Sequence, residues 1–132
     1  MQPTPKIVSR TWDEVASATR VAAARILQSG RTVNGVYGIP RGGTCLAVLF
    51  SHLLNVEFLS EPKTGCLIVD DICDTGDTLA KYLEYCPVFY TDVAKSGAKI
   101  QPELCGLSIS ETDRNAYAWF EFPWELALPP TK

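Results

Sequence analysis

The feature that most constrains the fold of this chain is a short apolar run followed directly by acidic residues and a glycine. The segment "CLIVDDICDTGDTLAKY", Cys66 to Tyr82, carries this pattern. A continuous apolar run that ends in a turn is typical of a strand buried on both faces, and helical spacing resumes after Gly76. The segment therefore predicts a strand, a glycine turn and a helix, the unit from which parallel sheets are built.

The same unit occurs elsewhere in the chain. The run "GVYGI" is broken by "PRGG" and followed by the helical spacing of Leu46, Leu49, Phe50 and Leu53, and "PVFYTDV" predicts a further buried strand. Upstream, the capping pair Thr11 and Glu14 opens a predicted amphipathic helix that closes at Gly30. Buried strands that alternate with helices predict a doubly wound α/β fold with a parallel sheet.

Length and composition narrow the class of protein. We expect residues 1–132 to form a single domain. The net charge is −3 and the 12 Lys and Arg residues are scattered, which argues against nucleic-acid binding. No apolar run has the length of a membrane span and the N-terminus lacks a signal-peptide core, so we expect a cytoplasmic protein. The five cysteines show no metal-binding spacing and are interpreted as reduced, mostly structural residues.

Two glycine turns are suited to hold phosphate. In parallel sheets, ligands bind at the carboxyl ends of the strands, where both turns are expected to lie. The turn that runs from Asp74 to Thr78 offers free backbone N–H groups and hydroxyl donors at the start of a helix. The "PRGG" turn adds Arg41, whose guanidinium matches phosphate oxygens. Together they indicate a ligand with phosphate at both ends.

Two adjacent acids, Asp70 and Asp71, lie between these turns in the predicted sheet. Carboxylates repel phosphate, but they bind hydroxyl groups and Mg²⁺ well. The acids are therefore consistent with a ligand that carries ribose hydroxyls and a cation beside its phosphates.

Four motifs resemble those of one enzyme family. The segment "LIVDDICDTGDTL" resembles the phosphoribosyl-diphosphate (PRPP) signature of type I phosphoribosyltransferases. The tail "AWFEFPWE", the "PRGG" turn and the lysine of "DVAKSG" are similar to segments of the bacterial xanthine-guanine phosphoribosyltransferases. The resemblance implies a mainly parallel five-stranded sheet flanked by helices, with a small C-terminal hood. It also implies a pentosyltransferase that joins the phosphoribosyl group of PRPP to a 6-oxopurine and releases diphosphate.

The resemblance also implies site residues. Those expected to bind PRPP are Arg41, Gly42, Asp70, Asp71, Asp74, Thr75, Gly76, Asp77 and Thr78. Asp71 is expected to lie at a Mg²⁺ ion. The base would lie between Trp119 and Phe120 and accept a hydrogen bond from Lys95, with Asp74 handling the proton at N7; Asp74 and Lys95 are the expected catalytic residues. The role of Glu125 stays open.

One part of the pattern departs from the family. Type I phosphoribosyltransferases cover the reaction centre with a long flexible loop before the PRPP strand, whereas only "EFLSEPKT", Glu57 to Thr64, is present here. A non-catalytic PRPP or nucleotide sensor on the same fold therefore remains an alternative, with a pyrimidine substrate as a weaker one. The family forms dimers or tetramers, and we expect a homodimer or homotetramer.

Overall fold

The computed structural model describes residues 6–85 and 87–125. The elements follow in the order β1 (Ile7–Ser9), α1 (Trp12–Gln28), β2 (Val36–Gly38), α2 (Thr44–Leu54), β3 (Phe58–Leu59), β4 (Leu67–Cys73), α3 (Asp77–Ala80), a 3-10 turn (Leu83–Tyr85), β5 (Val88–Lys95), β6 (Leu104–Ile109) and β7 (Trp119–Glu121). Within this part of the chain, no helix is both long and apolar enough to cross a membrane.

The main sheet has five strands in the order β3-β2-β4-β5-β6, and all four pairings are parallel. One face packs against α1 and α2 through a cluster that includes Val15, Leu46 and Phe50. The other face packs against α3 and the segment after it, where Leu79 meets Ile68. The predicted doubly wound α/β fold with a parallel five-stranded sheet is confirmed.

The first helix begins where the sequence predicts it. Thr11 caps α1: its hydroxyl accepts from the Glu14 backbone N–H at 3.1 Å, and the Glu14 carboxylate accepts from the Thr11 N–H at 2.9 Å. The middle of the predicted apolar stripe is buried, whereas its ends Trp12 and Leu27 are half or more exposed.

The helix predicted after Gly76 is shorter than the sequence pattern indicates. Only Asp77–Ala80 is α-helical, and the chain then turns and forms the 3-10 segment. Tyr82 packs on Tyr37 and Tyr85, with ring centroids 5.9 and 6.4 Å apart, while Leu83 points outward and is 49% exposed. Tyr82 thus faces the sheet through Tyr37, whereas Leu83 does not.

The segment after Lys95 contains a strand that the sequence pattern did not reveal. Strand β6 lies at the edge of the sheet and pairs with β5 alone among the described strands. Most of its residues are exposed or half-buried, so it lacks the continuous apolar run that marks β4 and β5.

The predicted C-terminal hood is present, and the N-terminal segment is part of it. Strands β1 and β7 form a separate two-stranded parallel sheet in which Ile7 pairs with Trp119 and Val8 with Phe120. Beyond β7, Trp124 stacks on Phe122 at 5.3 Å and meets the edge of Trp12 at 5.9 Å. The hood is therefore fastened to the start of α1.

Candidate active site

The two acids of the PRPP motif lie inside strand β4, near its carboxyl end. Asp70 is 8% exposed and accepts a hydrogen bond from the Asp71 N–H at 2.9 Å; Asp71 accepts one from the Ile72 N–H at 2.7 Å. Burial, and then the neighbouring Asp71 charge, raises the pKa of Asp70 to about 8. Burial also raises the pKa of Asp71. A pair of this kind is poorly satisfied as two free carboxylates, so it favours a ligand that brings a cation and hydroxyl donors.

The "PRGG" turn connects β2 to α2 and lies directly against these acids. A Cβ added to Gly42 would stand 2.2 Å from Asp71 Oδ2, and one added to Gly43 would stand 2.2 Å from the Val69 carbonyl oxygen. Only glycine permits this approach. Arg41, at the head of the turn, is exposed. The turn therefore places a free guanidinium near the Asp70–Asp71 pair.

The second turn, Asp74 to Thr78, follows β4. Gly76 has φ +90°, and a Cβ there would stand 2.6 Å from the Ile100 backbone nitrogen, so both conformation and space require glycine. The Asp77 N–H donates to Thr75 Oγ1 at 3.2 Å. The Asp77 carboxylate forms an ion pair with Lys99, and this bond, followed by that to Thr75, lowers the pKa of Asp77. The charge of Asp77 beside the phosphate turn is thus compensated by a neighbouring lysine.

The two predicted catalytic residues are in contact. Lys95 ends β5, and its Nζ lies 3.3 Å from Asp74 Oδ1. The Lys95 side chain is mostly covered, whereas that of Asp74 is mostly exposed. Cys73 of β4 pairs with Ala94 of β5. The residues that follow them, Asp74 and Lys95, therefore lie side by side at the carboxyl edge of the sheet.

The predicted base-stacking residues lie in the hood. Trp119 is 66% exposed, whereas Phe120 is 5% exposed and packs in a cluster with Val93, Ile109 and Phe122. Consecutive side chains of a strand point to opposite faces, so these two rings do not face each other directly. Trp119 presents an open aromatic surface, and Phe120 supports the cavity wall from the core side.

Two cavities meet at these residues. The first, about 980 Å³, is lined by Asp74, Lys95 and the hood aromatics, among them Trp119, Phe120 and Phe122. The second, about 810 Å³, is lined by Arg41, Gly42, Asp70, Thr78 and Trp124. Asp71 and Glu125 line both. The site is therefore bipartite, with an aromatic half and a polar half that carries Arg41 and the two acids, joined at Asp71 and Glu125. Of the predicted phosphate turn, Asp74 lines the first cavity and Thr78 the second, whereas Thr75, Gly76 and Asp77 line neither.

The short loop before β4 lies away from both cavities. Leu59, the last residue of β3, stands level with Tyr37 and Ile68, about 7 to 10 Å along the sheet from Asp70 and Asp71. Lys63 reaches back to Glu57 at 3.9 Å, and Asn34 donates to the Thr64 carbonyl at 2.6 Å. Those contacts fasten the loop near the amino ends of the strands. Lys63 is therefore directed toward Glu57 and lines neither cavity.

Sequence reasoning missed several residues of the site. The first cavity is also lined by Ile72, Ser110, Glu111 and Tyr117, and the second by Trp124. Ile72 lies in the quoted segment "LIVDDICDTGDTL" and Trp124 in "AWFEFPWE", so these motifs could have indicated both residues. Ser110, Glu111 and Tyr117 follow the unpredicted strand β6, and their position depends on contacts distant in sequence.

Known proteins resemble this chain in sequence. No protein-family model matches the chain. The xanthine-guanine phosphoribosyltransferase of Idiomarina loihiensis is 27% identical over 146 aligned positions, covering 89% of this chain and 86% of that protein. That of Chromohalobacter salexigens is 25% identical, covering 89% and 83%.

Solved structures agree in fold. A purine phosphoribosyltransferase from Pyrococcus horikoshii superposes with a TM-score of 0.72 at 21% identity, covering 96% of this chain and 99% of that one. A Neisseria gonorrhoeae protein described as hypothetical, with bound ppGpp, superposes with a TM-score of 0.72 at 14% identity, covering 95% and 92%. At these identities the likeness concerns the fold.

The fold is that of the type I phosphoribosyltransferases, with the two acids and the Gly76 turn at the carboxyl end of its central strand. Within this class, the chain resembles the bacterial xanthine-guanine phosphoribosyltransferases over about nine tenths of its length. The resemblance predicted from the motifs is confirmed.

Proposed function

We propose that this protein is a purine phosphoribosyltransferase that joins the 5-phosphoribosyl group of PRPP to a 6-oxopurine. The product would be the nucleoside monophosphate, with diphosphate released. The observation that carries the proposal is the pair of cavities that share Asp71 and Glu125. A flat base and a multiply phosphorylated sugar need an aromatic half and an anion-binding half that meet at the carbon where the bond is exchanged.

The cavity of Arg41, together with the adjoining turn that contains Thr78, would hold PRPP by both ends. The 5′-phosphate would lie on the turn of Thr75, Gly76 and Thr78, where backbone N–H groups and hydroxyls supply donors. Arg41 and the backbone of Gly42 would hold the diphosphate from the opposite side. The ribose hydroxyls would donate to Asp70 and Asp71, which lie between the two turns.

The residues fit a Mg²⁺ ion. Mg²⁺ is typically bound by one or two carboxylates together with substrate phosphates, so the Asp70–Asp71 pair is sufficient, and among the described residues no larger ligand cluster occurs. Burial is the main cause of the raised pKa of both acids, and a cation bound beside them would favour their charged forms. Asp71 would be the principal ligand. A bound Mg²⁺ would supply charge neutralisation for the diphosphate leaving group.

The aromatic half would position the base. Trp119 offers an exposed ring for stacking, and Phe120 closes the cavity from the core side. Lys95 would donate to the 6-oxo oxygen of the purine. Asp74, 3.3 Å from Lys95 Nζ, would take the proton at N7, because these two positions are adjacent on the purine rim.

Electrostatic stabilisation would dominate the chemistry of this site. The bond between the anomeric carbon and the diphosphate oxygen breaks, the bond to the base nitrogen forms, and positive charge develops on the ribose. Arg41 and the glycine-turn donors stabilise the departing diphosphate, while the Asp70–Asp71 pair faces the developing charge of the ribose. The stack on Trp119 orients the attacking nitrogen.

The position of the Glu57–Thr64 loop favours a second candidate function. That loop is fastened near the amino ends of the strands, so the reaction centre has no cover from it. A protein that senses PRPP or a nucleotide needs the same anion turns but no exclusion of water. The Neisseria gonorrhoeae protein of the same fold was solved with bound ppGpp, which illustrates such a ligand on this architecture.

One assay separates the two functions. The protein is incubated with PRPP and Mg²⁺ and with guanine, hypoxanthine, xanthine, adenine, uracil or orotate in turn, and nucleotide formation is followed by chromatography. The proposal expects a product from 6-oxopurines and none from the Arg41→Ala and Asp71→Asn variants. Thermal stabilisation by PRPP without product from any base would support the sensor and refute the enzyme.

A further inference from the structure

Glu111 is an acid of the base cavity to which no role has been assigned above. It follows strand β6 and lines the cavity together with Lys95 and Trp119. A Cβ added to Gly97 would stand 2.5 Å from Glu111 Oε1 and 3.4 Å from its Cγ, so the side chain lies across Gly97. The Ser96 N–H donates to the Ile109 carbonyl at 2.8 Å and ties the two segments together. The carboxylate is therefore held beside the turn that follows Lys95.

The sheet fixes the order of three charged side chains. Strands β4, β5 and β6 are neighbours, with Cys73 paired to Ala94 and Lys95 paired to Ile109. Lys95 is the last residue of β5, whereas Asp74 and Glu111 come after the ends of β4 and β6. Since neighbouring strands lie about 4.8 Å apart and all three residues line one cavity, Lys95 comes between the two acids, with Glu111 two residues beyond the end of β6.

A 6-oxopurine presents a matching order of groups, given the proposed function on which this step rests. Along its rim lie N7, the 6-oxo oxygen, N1 and the substituent at position 2. With Asp74 at N7 and Lys95 at the 6-oxo oxygen, Glu111 falls beside N1 and position 2. Guanine carries hydrogen-bond donors at both of these positions, and an ionised carboxylate accepts two parallel hydrogen bonds well.

We propose that Glu111 is a specificity-determining residue that selects a 2-amino-6-oxopurine, guanine, over its 2-oxo counterpart, xanthine. Xanthine would place a carbonyl oxygen opposite the carboxylate, where two acceptors face each other without a proton between them. Hypoxanthine, which has hydrogen at position 2, would offer only the N1 donor and rank between the two. The negative charge of Glu111 thus weakens the binding of xanthine and strengthens that of guanine.

Binding measurements test this without relying on turnover. The dissociation constants of GMP, IMP and XMP are measured by calorimetry for the wild-type protein, Glu111→Gln and Glu111→Ala. We expect the wild type to bind GMP about tenfold or more tightly than XMP, with IMP between them. In Glu111→Gln the amide can donate to the 2-oxo oxygen, so XMP gains affinity while GMP loses it. In Glu111→Ala the preference for GMP over XMP falls to within about threefold.

Glu84→Gln is the matched control, because it removes the same charge from an exposed acid of the 3-10 turn outside both cavities. It should keep the wild-type ratio of GMP to XMP affinity. Equal affinity of the wild type for GMP and XMP, or an unchanged ratio in both Glu111 variants, would overturn the role of Glu111 while leaving the proposed function standing. Failure of all three nucleotides to bind would overturn both.

Discussion

Lys95 Nζ lies 3.3 Å from Asp74 Oδ1 at the carboxyl ends of two neighbouring strands. The contact joins two residues that the motifs of the sequence assign to the same base. Both residues line the same cavity, so the pair lies along one of its edges. The two side chains therefore lie together where, on the proposed function, the N7 and 6-oxo positions of the base would be.

Asp74→Asn tests proton handling at N7. The amide keeps the size of the side chain but is a far weaker base, so we expect turnover to fall by about 100-fold. The affinity for the nucleoside monophosphate should change by less than about fivefold, because the amide oxygen can still meet Lys95. Steady-state kinetics and calorimetry measure the two effects separately. An unchanged turnover number would remove Asp74 from the proton transfer.

Trp119→Ala tests the stacking surface. Stacking of a base on an aromatic ring contributes about 1 to 3 kcal/mol, so the affinity for the purine should fall about tenfold or more. PRPP affinity should stay within about twofold, because Trp119 lines only the aromatic cavity. Phe58→Ala, which removes an exposed aromatic ring from the distant edge strand β3, is the control and should change neither affinity. Equal losses for purine and PRPP would contradict the stacking role.

The buried acid Asp70 should make the stability of the free protein depend on pH. Its pKa is raised to about 8, chiefly by burial, whereas an aspartate of the unfolded chain ionises near pH 4. Between these values the folded chain holds a proton that the unfolded chain has released. Stability from this residue is therefore fully present below about pH 4 and is lost as the pH rises toward 8.

Asp70→Asn removes this dependence and keeps an oxygen that can accept from the Asp71 N–H. Without PRPP or Mg²⁺, we expect the variant to melt roughly 5 °C above the wild type at pH 8, with the difference shrinking toward pH 4. Calorimetric melting across this range measures the difference. Asp113→Asn, at an exposed aspartate, should leave the profile unchanged. A constant offset between variant and wild type at every pH would show that the charge of Asp70 is not responsible.

A second buried charge pair holds the hood to the sheet. Arg10 donates to Asp92 through Nε at 2.8 Å and Nη2 at 3.0 Å, and Asp92 is fully buried in β5. Arg10→Met should lower the free energy of unfolding by about 3 to 5 kcal/mol, since it leaves Asp92 buried without a partner. Urea denaturation measures this, with Arg25→Met on the exposed face of α1 as the control.

The double variant Arg10→Met with Asp92→Leu should recover much of the stability that Arg10→Met loses, because no unpaired charge remains. The affinity of Arg10→Met, of Arg25→Met and of the double variant for GMP should stay near that of the wild type. None of the substituted residues lines either cavity of the site. If the double variant were less stable than Arg10→Met alone, the unpaired charge would not be the cause of the loss.

The parts of the fold that local sequence determines could be predicted from it. The capping box of Thr11 and Glu14 acts within one turn of helix, and the apolar runs of β4 and β5 follow from burial on both faces. The glycine turns are likewise local, since Gly42 and Gly76 occupy positions that exclude a side chain. These features placed the phosphate turns and the two acids correctly relative to the strands.

What the sequence did not reveal depends on distant contacts. Strand β6 is defined by pairing with β5, and the β1–β7 sheet joins segments about 110 residues apart. The position of Glu111 over Gly97 requires the β5–β6 pairing, and the contact of Lys95 with Asp74 depends on the register of β4 against β5. Tyr82, which follows the short α3, packs on Tyr37 of β2, a contact that helical spacing does not encode. Cys86 and residues 126–132 lie outside the described part of the chain.

The coupling of diphosphate release to nucleotide formation tests the central claim most directly. The wild-type protein is mixed with PRPP, Mg²⁺ and guanine, and both products are followed by phosphorus NMR, with reactions lacking guanine run in parallel. We predict that diphosphate and GMP appear in equal amounts and that neither forms without the base. Saturable binding of PRPP with no diphosphate in the presence of guanine, hypoxanthine or xanthine would contradict the account.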